Sequence, residues 1–185
     1  MSARPNHESL PRRDSSNTDG ASGRVLSKLE ASGQLLTIHQ LLGNSPNGFR
    51  PFMQLSDALF TKAVLPADVR EIVILWMAHE RGVPYEWTEH VPMATRAGVD
   101  DAQVAALASG STDADTFPPE ALLALDAARQ LLAREGISTE VWEGLTARWG
   151  VEGALDLVFT VGWWGGFVPT AIEALGLVAA DVDGR

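Results

Sequence analysis

With 185 residues, 45% of them apolar, the chain reads as one domain with enough side chains to bury a sizeable core. It carries 24 acidic against 14 basic residues, and the net charge of −10 argues against nucleic acid and anionic membrane as partners. It has no cysteine, which rules out disulfides, thiolate metal sites and thiol-based peroxidase chemistry.

Residues 1–23 are rich in Ser, Arg, Asn, Asp, Pro and Gly and have almost no apolar anchors, so they read as a disordered tail. Arg4, Arg12 and Arg13 there balance Glu8, Asp14 and Asp19, which leaves the whole charge excess on residues 24–185. The polar N-terminus does not resemble a signal peptide. The longest uncharged run, Leu157 to Ile172, has 16 residues and is interrupted by glycines and Pro169, too short and broken to span a bilayer. A cytoplasmic location follows as the expectation.

From residue 24 onward the apolar spacing is helical, and an all-α helical bundle is expected with no internal repeat. A first helix runs from about Glu30 to Leu42 and stops at Gly43; Asn44-Ser45-Pro46 then leads into a helix ending near Lys62. Pro66 opens a helix to about Arg81, and its residues 72–78 are apolar on every side, the mark of an enclosed central helix. Pro84 opens the next helix, which reaches Gly98, and Asp100 caps a short one to about Ser109. After a loop at 110–118, helices follow at about 119–135, 138–149, 152–164 and 168–180. Pro92, inside the helix that starts at Pro84, cannot donate to the Thr88 carbonyl and should kink the helix or free that acceptor.

Three ionisable groups stand on or beside the two central helices. Positions three and four apart share a helix face, so Val83, Glu86, Trp87, His90, Ala94 and Ala97 point together toward the core. Thr88, Glu89 and Arg96 fall on the opposite, solvated face. A glutamate four residues before a histidine can hydrogen-bond it, fix its tautomer and raise its basicity, which suits proton transfer near neutral pH. The plainer alternative is that Glu86 and His90 form a satisfied internal pair between helices. Glu71 shares a face with Ile74, Leu75 and Ala78, and could simply pair with Arg70 or Arg81.

Leu65-Pro66, Arg70-Glu71 and Ile74-Leu75, followed by Tyr85-Glu86-Trp87, His90, Ala94 and Ala97-Gly98-Val99, resemble the carboxymuconolactone decarboxylase family over roughly residues 35–110. The wider superfamily also holds alkylhydroperoxidase-D-like proteins. Where its peroxidase branch has a CxxC pair before the histidine, this chain has Val83 and Glu86, so the resemblance implies no peroxidase activity. In the decarboxylase branch a glutamate stands four residues before the histidine, as Glu86 does before His90. The resemblance therefore implies Glu71, Glu86 and His90 as proton-handling groups, and a homo-oligomer, commonly a trimer or hexamer. The apolar stretch from Ala154 to Ala180 is compatible with such an assembly, or with the core of a monomer.

Trp163-Trp164-Gly165-Gly166-Phe167 sets two indoles beside two glycines at a helix junction. These aromatics, with Phe52 and Tyr85, are candidates to line a pocket for a planar unsaturated ligand; the commoner use of such rings is to fill cores and interfaces. There is no HExxH and no dense histidine cluster, although carboxylates plus imidazole at Glu71, Glu86 and His90 would suit Zn, Mn or Fe.

The leading expectation is a cofactor-free lyase or isomerase acting on a small lactone or keto-acid-like substrate, with His90 moving the proton, Glu86 tuning it and Glu71 as partner or second acid–base group. Arg70 and Arg81 are the nearest candidates to hold a substrate carboxylate; if neither does, a neutral substrate and proton transfer without decarboxylation are expected. A metal-dependent oxidoreductase using the same trio and a non-catalytic ligand-binding protein are the alternatives. All of these expectations need a hollow beside His90 that a guest molecule can occupy.

Overall fold

The computed structural model describes residues 9–182. Nine α-helices make up the described chain, and no strand occurs among those residues. They are α1 (Gly20–Ala31), α2 (Thr37–Leu42), α3 (Pro46–Thr61), α4 (Ala67–Glu80), α5 (Pro84–Ala97), α6 (Asp101–Ala108), α7 (Pro119–Leu132), α8 (Thr139–Gly162) and α9 (Val168–Leu175). A π-helical turn, Trp163–Phe167, joins α8 to α9, and a short 3-10 turn follows at Ala179–Asp181.

α4 is the axis of the bundle because every residue from Val69 to Ala78 is buried. A helix apolar on all sides has no face for water, so other helices must surround it. α5, α6, α7, α8 and the π-helical turn all pack on it. α4 and α5 form a tight hairpin through Gly82, which takes the left-handed conformation (φ +60°) that the turn requires. Gly98 closes α5 the same way, at φ +101°. The N-terminus of α4 is placed from across the bundle: Asp156 on α8 accepts hydrogen bonds from the backbone N–H of Val64 (2.6 Å) and Leu65 (3.4 Å).

The expected helix over 30–42 is instead two helices, α1 and α2, and the first begins ten residues earlier, inside the segment read as a tail. Gly33, left-handed at φ +66°, separates them. Polar side chains rather than apolar ones hold the segment that leads into α1. Arg13 donates to Asn44 Oδ1 (2.7 Å), Asn44 donates to the Pro11 carbonyl (2.7 Å), and Arg12 reaches Thr37 (3.1 Å) and Gln40 (3.2 Å). The part of that tail at 1–8 lies outside the described residues.

The two helices expected over 138–164 form one run whose axis breaks at Gly150 (φ 69°, ψ 178°), the position where a break is expected. Helix α9 stops at Gly176, left-handed at φ 68°, a few residues short of the expected end. α5 continues through Pro92, which lies inside it. The stretch Thr139–Leu175, whose most apolar 18-residue window has mean hydropathy 1.3, is long and apolar enough by composition to cross a membrane, unlike the 16-residue uncharged run within it; 44% of that window is buried inside the protein.

Candidate functional site

Four elements meet around His90. α4 supplies Arg70 and Glu71, α5 supplies His90, the C-terminal end of α3 supplies Leu59 and Phe60, and the π-helical turn supplies Trp164. His90 Nδ1 lies 2.8 Å from Glu71 Oε2. The other carboxylate oxygen, Oε1, accepts from Arg70 Nε and NH2, both at 3.3 Å, while Arg70 NH1 donates to the Leu59 carbonyl at 3.2 Å. Arg70, Glu71 and His90 are 6%, 1% and 6% exposed, so water screens this chain of contacts very little.

Aromatic rings enclose the imidazole. Phe60 stacks on His90 at 6.2 Å between centroids with 21° between planes, and Trp164 meets it edge-on at 5.9 Å and 81°. Phe60 and Trp164 touch each other at 4.9 Å, and the Arg70 guanidinium lies over the outer ring of this stack, 4.9 Å from the Phe60 centroid. Phe60 is half-buried, which makes it the wall between His90 and solvent.

The geometry assigns the imidazole a direction. A carboxylate has no proton to give, so with Glu71 ionised beside Arg70, Nδ1–H is the donor and Nε2 carries the free lone pair. The cluster then holds one positive and one negative charge, and it can accept a proton on Nε2 with Glu71 already beside the imidazolium.

The expected hydrogen bond from Glu86 to His90 does not form; Nδ1 is taken by Glu71 from the neighbouring helix. An ionised acceptor held by an arginine binds an imidazole N–H more strongly than a neutral acid does. Glu86 is 2% exposed, and neither carboxylate oxygen has a hydrogen-bond partner among the described residues. Burial pushes its carboxyl well above the ordinary glutamate value, against a smaller opposing pull from the Arg81 charge. Glu89, expected to face solvent, is also buried, at 9% exposure. α5 also packs against the 3-10 turn at Ala179–Asp181; Arg96, read on the same face as Glu89, is exposed as expected.

The candidate ligand-lining residues divide. Trp164 reaches His90, whereas its neighbour Trp163 points into a second aromatic group, 4.9 Å from Phe52 and stacked on Phe167 at 5.1 Å and 12°. No ring contact joins Phe52 or Trp163 to His90 among the described residues. Tyr85 is buried, and its hydroxyl accepts from the Ile38 backbone N–H (3.3 Å), tying α5 to α2. Phe60 is the wall that sequence reasoning missed: only the tertiary stack distinguishes it from the other apolar residues of α3. Among the described residues, no three His, Cys, Asp or Glu side chains stand close enough to form a metal-ligand set. Cavities of about 570 and 240 Å³ are present, and neither is lined by Glu71, Glu86 or His90.

Residues 46–130, which span α3 to α7, match the carboxymuconolactone decarboxylase family. Comparison with curated proteins gives no match. The family stretch holds Phe60, Arg70, Glu71, Glu86 and His90, and it extends further toward the C-terminus than the resemblance read from motifs. Trp164 lies beyond it, so one wall of the His90 cluster comes from outside the carboxymuconolactone decarboxylase segment.

Glu86 gives a pH-dependent signature. Its carboxyl binds a proton more tightly in the folded than in the unfolded chain. It therefore leaves stability intact below the unfolded value near 4.5, and stability falls as pH rises through the interval up to the folded value. Glu86→Gln removes this dependence. Denaturant unfolding from pH 5 to pH 8 should show the variant gaining on the parent by up to about 1.4 kcal/mol per pH unit within that interval. Parallel curves for the two proteins would contradict the assignment.

Proposed function

We propose that this chain is a cofactor-free acid–base enzyme, of decarboxylase or isomerase type, acting on a small lactone or keto-acid-like substrate. The match to the carboxymuconolactone decarboxylase family supports a decarboxylase-like activity in general terms. The observation that carries the finer reading is the 2.8 Å contact between His90 Nδ1 and Glu71 Oε2 inside an aromatic enclosure. With Nδ1 engaged, Nε2 is the atom left to take a proton from a carbon next to a carbonyl. It returns that proton to the same carbon or to a conjugated one, which is isomerisation. In a decarboxylation, Nε2 first takes the proton of the substrate's carboxylic acid, the C–C electron pair stays on the substrate as carbon dioxide departs, and Nε2–H then protonates the resulting carbanion. Glu71 stabilises the imidazolium in either case. Glu86, one helical turn before His90, is held as a neutral acid by burial and supplies a second proton.

Arg70 favours one of these variants. Its Nε, NH1 and NH2 already face Glu71 and the Leu59 carbonyl, so it has little capacity to grip a substrate carboxylate. That supports a neutral lactone and proton transfer without loss of carbon dioxide. Phe60 or Trp164 must give way for a substrate to reach Nε2, and the half-buried Phe60 is the easier of the two to displace.

The test uses a panel of γ-lactones and β-keto acids in D₂O, followed by proton NMR for loss of carbon-bound proton signal and by carbon-13 NMR for carbon dioxide release. The parent should turn over at least one class, and His90→Gln should retain its helical circular dichroism while losing about 10²- to 10⁴-fold in rate. Equal rates in parent and variant would remove His90 from the chemistry.

A homo-oligomer, a trimer or hexamer, is the second part of the proposal. Val151, Leu155, Phe159 and Phe167 are 60%, 43%, 54% and 50% exposed and recur at multiples of four along α8 and the π-helical turn, forming one apolar ridge. Such a ridge packs well into the grooves of a second helix. Sedimentation velocity should give an assembly for the parent and smaller species for Phe159→Glu. A monomeric parent would refute this part.

A further inference from the structure

The C-terminal end of α4 borders the cavity of about 570 Å³. Arg81, on its rim, is ten residues from Glu71, or about 15 Å along a helix, so this cavity is separate from the His90 enclosure. Trp76 and Leu132 give it apolar surface, and Arg81, Arg129, Thr112 and Glu80 give it polar groups.

Arg129 is held in place rather than free. Its guanidinium lies 5.3 Å from the Trp76 ring centroid, and its NH2 donates to Thr112 Oγ1. Those contacts fix the plane of the guanidinium while Nε and NH1 make no hydrogen bond among the described residues. Among the described residues, neither Arg129 nor Arg81 has a carboxylate within ion-pairing distance, although the Arg81 charge acts on the buried Glu86; the arginine–carboxylate pairs there are Arg70–Glu71 and Arg148–Glu120. Glu80 lines the same cavity without pairing to either. In a chain with 24 acidic and 14 basic residues, two guanidiniums without an ion pair on one hollow are not explained by charge balance, since carboxylates are plentiful. A fixed planar donor beside an apolar wall is the arrangement that recognises a carboxylate on a flat hydrophobic body.

We propose that this cavity is a second small-molecule site, selective for a planar organic carboxylate, whose anionic group is held by Arg129 and Arg81 and whose ring lies against Leu132 and the edge of Trp76. The ligand is a monocarboxylate, because Glu80 on the rim repels further negative charge on the same face.

Isothermal titration of the full chain with benzoate, with neutral benzamide as the control, tests this. Benzoate should bind saturably, about tenfold or more tightly than benzamide, and more weakly as salt is raised. Arg81→Gln and Arg129→Gln should each lower benzoate affinity by about tenfold. Arg81 is exposed, so its variant keeps the test usable if loss of the Arg129–Trp76 contact disturbs folding. His90→Gln should leave benzoate affinity unchanged. The proposal is overturned if benzoate shows no saturation, if benzamide binds equally well, if Arg81→Gln binds like the parent, or if His90→Gln abolishes binding, which would put the anion in the other site.

Discussion

A carboxylate buried between an arginine and a histidine governs the arrangement of this protein. Glu71 sits in the buried stretch of α4, just before the apolar run at 72–78, in surroundings where an unpaired charge costs several kcal/mol. It is tolerable there only because Arg70 takes one oxygen and His90 the other. The consequences spread outward. Arg70 must also satisfy its NH1, which ties the end of α3 to α4 through the Leu59 carbonyl, and His90 fixes how α5 lies against α4. Three helices are thus held in register by one polar chain. The same chain leaves the imidazole with one nitrogen committed and one available.

The aromatic rings complete what the charges begin. Phe60 and Trp164 keep water from the imidazole and so strengthen every interaction inside the cluster. Adjacent positions on a helix point about 100° apart, so Trp164 reaches His90 while Trp163 packs on Phe52. Gly165 sits at the tightest point of the π-helical turn. A side chain there would meet Met77 Sδ at 2.7 Å and Leu132 Cδ2 at 2.9 Å, so those two side chains would have to shift to admit one.

Much of this was readable from residues alone, where the signal was local. Uninterrupted apolar residues over 72–78 mark α4 as central, and Pro84 and Gly98 bound α5 as they stand in the fold. The motif resemblance pointed to the family that residues 46–130 match. What escaped was tertiary. Helical spacing puts Glu86 and His90 on one face and makes them natural partners, but it cannot reveal that Glu71 arrives from the next helix and takes Nδ1. Nor can it anticipate that Glu89, on the opposite face of α5, is buried. Helix α1 was invisible to apolar periodicity because small and polar residues form its packed positions: Ser22 and Gly23 are among its three buried residues. Trp163 and Trp164 look equivalent in sequence, and only the tertiary packing shows that one turns to His90 and the other to Phe52.

The direction of the imidazole is the point on which the account turns, and long-range proton–nitrogen correlation NMR on histidine-labelled protein reads it directly. With the His90 signals assigned by difference, the neutral ring should show a protonated Nδ1 and a bare Nε2. A neutral His90 carrying its proton on Nε2 would mean that Glu71 does not orient it as a base, and the proposed chemistry would fall with that result.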